Sequence, residues 1–331
     1  MFSHRGVLCI YWNSRPVCVI LSYIVWGECS DDARILQSRL FNFIMYKNVL
    51  LTIEYDGTGF SGWQRQPEAR TVQGTVEKVL TELVGEQVVV DGVSRTDAGV
   101  HARDQKALFC ADLRIPVEKL AKVMNDRLQG RPESRADNDD VRIVSAEEVP
   151  ADFNLRGSVA GKTYRYSIRC AAEMPVFDRN YRYHIHQNLD AAKMREAAEF
   201  IKGTHDFSCF QAAGGEPGKT TVRTISDISI TEEPVSTMQP GGGENAKMQP
   251  GGEAAGPDAR DIHIDITGDG FLYNMVRIIT GTLVEVGLGK REPVDLRRII
   301  DSRDRAQAGH TAPPQGLCLM KVYFEKDRLD R

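Results

Sequence analysis

Seven consecutive residues, Arg95-Thr96-Asp97-Ala98-Gly99-Val100-His101, place a guanidinium, a carboxylate and an imidazole in one loop between two predicted strands. Two readings of this run stand open. In the first, Asp97-Ala98-Gly99 is turn chemistry: Asp97 closes an Asx turn, Gly99 supplies a permissive backbone, and Arg95 pairs with the carboxylate. In the second, the loop is a site. Loops held between strands are where functional residues concentrate, and a carboxylate can act as a covalent nucleophile.

Other chemistries find less support. The seven cysteines have no CxxC pair, and their number is odd. A disulfide framework and a zinc site are both disfavoured, and scattered reduced thiols of a cytosolic protein are expected. The seven histidines show no HxxxH or HExxH spacing, so no metal is indicated. The net charge of -4 argues against a nucleic-acid partner at first sight. Many acids, however, fall in Glu133–Asp140 and Glu232–Asp261, whereas Lys162–Arg182 is basic. A local basic groove is compatible with an acidic chain.

The elements that must position Asp97 can be read from pattern. Tyr46–Tyr55 reads as a strand ending in the turn Asp56-Gly57-Thr58-Gly59. Thr71 reads as the cap of a helix whose Val72, Val76, Val79, Leu80 and Leu83 share a face. Strands are predicted at Gln87–Val93 and Lys106–Cys110, a helix from Pro116 to Leu128, and a strand at Val141–Val149. A second half repeats this grammar, with strand Lys162–Arg169, helix Asp190–Lys202, strands Val222–Ile230 and Asp261–Thr267, helix Leu272–Val286, a short helix from Pro293 and a closing strand Leu317–Phe324. Strands and helices mix without strict alternation. The expected class is α+β, two related domains (45–148 and 149–331), each a mainly antiparallel sheet with helices on one face.

Two segments are expected to stand outside that fold. Residues 1–44 contain an apolar run, Val17–Trp26, too short to span a bilayer, and no clean cleavage site. They read as an N-terminal extension. The segment at about 232–260 is rich in Gly and Pro and repeats Met-Gln-Pro-Gly-Gly at 238–242 and 248–252, which reads as a disordered insertion.

The run Arg95–Ala102 resembles the catalytic loop of the TruA-type tRNA pseudouridine synthases, and further landmarks follow in that family's order. These are Tyr55–Gln66 (Tyr55-Asp56-Gly57-Thr58-Gly59-Phe60-Ser61-Gly62-Trp63-Gln64-Arg65-Gln66), Lys162-Thr163-Tyr164-Arg165-Tyr166, Gly203–Phe210, Phe271-Leu272-Tyr273-Asn274-Met275-Val276-Arg277 and Gly316-Leu317. The resemblance covers about residues 46–325 and implies a pseudouridine synthase fold, an isomerase needing no cofactor or metal, a cytoplasmic homodimer, and tRNA as partner with uridines 38, 39 and 40 of the anticodon stem-loop as targets. It places the catalytic aspartate at Asp97, the active-site tyrosine at Tyr164, an arginine facing the aspartate at Arg277, and a leucine beneath the base at Leu317. Taken without the family, Tyr164 reads equally as a core strand tyrosine alternating with Tyr166, and Arg277 as a snorkelling helix-surface charge. Ser94 stands where the family usually has Gly, and Asn154 and Asn274 where it often has His.

Isomerising uridine breaks the N–C glycosidic bond, turns the uracil and rejoins it through C5. A carboxylate can attack C1′, support a glycal, or add at C6, and residue types do not choose among these. Asp97 must be ionised, and Arg277 opposite it is expected to keep its pKa low. The target nucleotide must first leave its stack. Arg95 is expected to fill the vacated space, and phosphate contacts are expected from Arg65, Arg103, Lys162, Arg165, Arg169, Arg179 and Arg182.

Overall fold

The computed structural model describes residues 8–12, 15–19, 46–129, 139–215, 218, 220–235 and 259–325. The chain divides into two compact units, Met1–Ile44 and Met45–Arg331. In the first, Leu8–Trp12 (β1) and Arg15–Val19 (β2) pair antiparallel. The duplicated Met-Gln-Pro-Gly-Gly segment lies outside the described residues.

The second unit opens with Tyr46–Tyr55 (β3), whose run Val49–Ile53 is buried on both faces. Val72–Val84 (α1) starts at Thr71, whose hydroxyl accepts from Gly74 N at 3.3 Å, and stops at Gly85 in the left-handed region, φ 84°. Asp91–Gly92 (β4) is all that forms of the strand expected at Gln87–Val93. Val88 and Val90 are buried, but the backbone N–H of Val90 donates to the Glu77 carboxylate instead of a neighbouring strand. His101–Asp112 (β5), Val117–Leu128 (α2) and Val141–Val149 (β6) complete the first half.

In the second half come Val159–Cys170 (β7), Tyr183–Ile185 (β8), Ala191–Glu199 (α3), Gly203–Asp206 (β9), Val222–Pro234 (β10), Arg260–Gly268 (β11), Met275–Gly287 (α4), Asp295–Ser302 (α5) and Leu317–Phe324 (β12). β10 and β11 extend to Pro234 and back from Arg260, so the ends of the expected insertion are paired strand. Among the described residues no helix is long and apolar enough to cross a membrane.

Sequence pattern suggests two sheets; the strands instead join into one mixed sheet of order β6-β3-β5-β12-β7-β11-β10-β9, with β4 on β5 and β8 on β7. The joint is β5 with β12, the closing strand of the chain, which runs parallel to β5 with Cys318 opposite His101. Two apolar cores flank this seam. One gathers α1 and α2 with β3 and β5, the other α3, α4 and α5 with β7, β10 and β11. Tyr164 packs against both. Because β5 and β12 are parallel, the loops that precede them emerge at the same end of the sheet. One is the loop of Asp97 and the other is Ala312–Gly316.

Candidate active site

The loop that carries Asp97 is fixed from below by the conspicuous run Tyr55–Gln66. Tyr55 Oη and Thr96 Oγ1 share a buried hydrogen bond of 2.7 Å, and Trp63 N donates to Thr96 O at 3.1 Å. Gly99 N donates to Phe60 O at 3.3 Å, and Gly57 N to His101 Nδ1 at 3.0 Å. That last bond leaves Nε2 of His101 as the donor, aimed at Asn180 O (2.9 Å) and Gln315 O (3.2 Å). Gly62 has φ 90°, and a Cβ there would sit 2.7 Å from Thr96 O. The motif's glycine is thus required by conformation and by the closeness of the Asp97 loop. Ahead of the loop, the buried carboxamide of Gln105 holds both backbone groups of Ser94, accepting from its N–H at 3.2 Å and donating to its C=O at 2.5 Å.

Within this frame the Asx-turn reading is half right. Val100 N bonds the backbone oxygen of Asp97 at 3.2 Å, so the turn closes through the main chain. The carboxylate is left to face Arg277, whose Nη1 donates to Asp97 Oδ2 at 3.2 Å across 180 residues of sequence. Arg277 is no snorkelling surface charge. Its Nε donates to Ala312 O at 2.8 Å and its Nη1 also reaches Asn274 Oδ1 at 2.7 Å.

The electrostatics correct one expectation. Burial raises the pKa of Asp97 above the usual carboxylate value, and Arg277 offsets that shift without reversing it. The desolvation of a carboxylate in this seam outweighs one ion pair. A reaction that needs the anion therefore loses rate as pH falls through a pKa higher than that of an ordinary Asp. Replacing Arg277 by Leu removes the offset, so the acid limb of the pH–rate profile should move further up. The maximal rate should fall by roughly tenfold or more as a charge-assisted contact is lost. A pH–rate series on both proteins checks this.

Tyr164 lies on β7 between Leu319 of β12 and Ile266 of β11, with its ring edge-on to Phe271 at 5.1 Å between centroids. Its phenol is pushed up to about 12, first by burial and then by the negative charge of Asp97; Ser94 draws it partly back. The Ser94 hydroxyl is buried with no full hydrogen bond among the described residues. Tyr164 is therefore a neutral phenol near neutral pH. Leu317 is buried at the start of β12 opposite Tyr166. Arg95 is exposed in the loop beside Asp97.

The expected phosphate-contact residues are placed less uniformly. Arg65 forms an ion pair with the buried Glu77 at 2.5 Å, and Lys162 donates to Val93 O at 3.2 Å. Burial brings the Lys162 ammonium down to about 8. Arg165 grips Asp265 through two bonds of 2.8 and 2.7 Å, and Arg182 donates to Asp261 at 2.8 Å. Arg103 and Arg179 are exposed. Arg169 does not fit a phosphate role: it is 3% exposed and enclosed by Asp261 and Asp178. Sequence reasoning missed Gln105, the Tyr55–Thr96 pair and Ala312. Nothing in their types signals that they hold Ser94, the Asp97 loop and Arg277.

A sequence profile of the tRNA pseudouridine synthases matches residues 51–151 and 197–325. The chain is 41% identical over 278 residues to tRNA pseudouridine synthase A 2 of Clostridium perfringens, covering 84% of this chain and all of that one. It is 42% identical over 282 residues to the protein of the same description from Clostridium tetani, covering 85% of this chain and all of the relative. It is 41% identical over 278 residues to tRNA pseudouridine synthase A of Caldicellulosiruptor bescii, again over that protein's whole length. A carboxylate and a guanidinium brought together at the seam of a mixed sheet, with this degree and extent of likeness, make the chain a member of the tRNA pseudouridine synthase family.

Proposed function

We propose that this protein isomerises uridine to pseudouridine at positions 38, 39 and 40 of the tRNA anticodon stem-loop, with the Asp97 carboxylate acting on the extruded nucleoside. The observation that carries the reading is the Asp97–Arg277 pair, a part-buried carboxylate with a raised pKa beside a neutral tyrosine. A carboxylate so placed is a better nucleophile and base than a solvated one once ionised, and the Arg277 guanidinium keeps the anion accessible. Tyr164 offers an aromatic face for the base and a hydroxyl that assists loss of the C5 proton, and Leu317 supports the base from below. Arg95 enters the gap left in the stack. Arg103 and Arg179 meet phosphates directly, whereas Arg65, Lys162 and Arg165 exchange internal partners for phosphate oxygens. A cytoplasmic homodimer with tRNA lying across both subunits completes the reading, which draws these last features from kinship.

The test is to incubate unmodified tRNA with the protein and map pseudouridine along the whole chain. Conversion confined to 38–40 is expected; conversion elsewhere, or none, contradicts the assignment. In the same assay Tyr164→Phe should bind tRNA within about threefold of wild type, since stacking survives, while release of the C5 proton slows by about 10²-fold or more. Equal rates for the two proteins would remove the hydroxyl from the reaction.

A further inference from the structure

Asn274 stands where a helix cap is expected and does not act as one. It occupies the N-cap position of α4, where asparagine is favoured because its side-chain oxygen accepts from a backbone N–H of the first turn. Asn274 makes no such bond. Its backbone is also left-handed, φ 59° and ψ 9°, a conformation that glycine adopts at less cost. Features that break local rules call for a functional explanation when the surroundings impose them.

The carboxamide is engaged elsewhere. Asn274 Oδ1 accepts from Arg277 Nη1 at 2.7 Å, the same nitrogen that lies 3.2 Å from Asp97 Oδ2. At the other end of the guanidinium, Nε donates to Ala312 O at 2.8 Å, and Ala312 N donates back to the Arg277 carbonyl at 3.0 Å. The Ala312 contact holds the guanidinium at Nε alone, at the end away from Asp97. A second acceptor at Nη1 fixes the planar group at two points, the second on the nitrogen that meets the carboxylate. Preorganised charge of this kind acts without reorganisation when the reaction occurs.

We propose that Asn274 is a positioning residue whose carboxamide, diverted from capping α4, aims Arg277 at Asp97. The proposal rests on the reading of Asp97 as the catalytic carboxylate. Asn274 need not touch RNA for this role. Among the described residues, the ionisable groups that act on or feel Asp97 are Arg277 from α4 and Tyr164 from β7, with Arg95 in its own loop. Loosening Arg277 therefore leaves burial less opposed.

Asn274→Gly tests this, because glycine suits the left-handed backbone and only the carboxamide is lost. With tRNA labelled with tritium at uridine C5, kcat should fall roughly tenfold, the size expected for one hydrogen bond from a charged donor. KM should stay within about twofold, since the loss is confined to the reacting complex. The acid limb of kcat/KM should move up. Asn274→Asp keeps the acceptor but adds a carboxylate that competes for Arg277, so its acid limb should move up as well. Unchanged kcat and acid limb in Asn274→Gly overturn the proposal, as does a change confined to KM. Should Asn274→Gly fail to fold, an unmoved acid limb in Asn274→Asp overturns it. Asp97→Asn, assayed alongside, separates the failures: activity there removes the catalytic reading, whereas an inactive Asp97→Asn beside a fully active Asn274→Gly removes only the positioning role.

Discussion

Arg169→Glu should not yield a stably folded protein. The Arg169 guanidinium is buried on β7 opposite Asp261 of β11, donates to both oxygens of that carboxylate, and lies 3.2 Å from Asp178. Arg182 adds a second cation to Asp261. Charge reversal places a third carboxylate among two and leaves Asp261, itself 5% exposed, with one partner. Breaking a buried pair from one side costs about 3–5 kcal/mol, and burying a further like charge adds to that. A loss of this size consumes much of the roughly 5–15 kcal/mol that holds a domain folded. Arg165→Glu is the contrasting case. Arg165 lies four residues earlier on the same strand, opposite Asp265, but its side chain is 37% exposed. The cost there should stay near that of a surface pair, about 1 kcal/mol, and the effect should fall on tRNA affinity. Thermal melts of the two variants decide. If Arg169→Glu melts within a few degrees of wild type, the network around Asp261 is not structural.

That contrast shows what sequence could and could not reveal. Arg165 and Arg169 look alike in the basic run Lys162–Arg182, because the register of β7 on β11, which sets each against an aspartate, is not written in either strand. Elements with local signals were legible: β3 from its run into the turn Asp56–Gly59, α1 from Thr71 and its shared apolar face, and β6 and β12 as strands with the bounds expected. The strand expected at Gln87–Val93 was not, since Glu77 takes the N–H of Val90 and only Asp91–Gly92 pairs. Long-range topology was equally hidden. That the closing strand β12 runs parallel to β5 and fuses two halves into one sheet depends on contacts more than 200 residues apart. At the site, Asp97 stood out because Arg95–Ala102 resembles a known catalytic loop, and Arg277 was legible only through the same resemblance. The direction of the Asp97 pKa shift was misjudged because a pairwise view counts the guanidinium and omits the desolvation that only a folded seam creates.

Asp97→Asn should abolish isomerisation and spare nearly everything else. Asparagine keeps the volume, and the turn survives because it closes through the backbone oxygen of residue 97 rather than the side chain. Stability should change little. With its folded-state pKa raised, the Asp97 carboxylate weakens the fold above that pKa, a penalty that asparagine removes, while Arg277 loses its charged partner but keeps Asn274 and Ala312. The two effects oppose one another, and a net of about 1 kcal/mol corresponds to only about 2–4 °C in melting temperature. Affinity for tRNA should hold within a few-fold, since contacts to phosphates carry it. With Asp97 as the reacting carboxylate the chemistry has no substitute for the anion, and its loss should reduce the rate by about 10⁴-fold or more. The decisive measurement is single-turnover release of tritium from tRNA labelled at uridine C5, with wild type and Asp97→Asn at matched tRNA occupancy. Release by wild type and none above background by a folded, tRNA-bound Asp97→Asn is the expected result; release by Asp97→Asn within a few-fold of wild type would contradict the role assigned to Asp97.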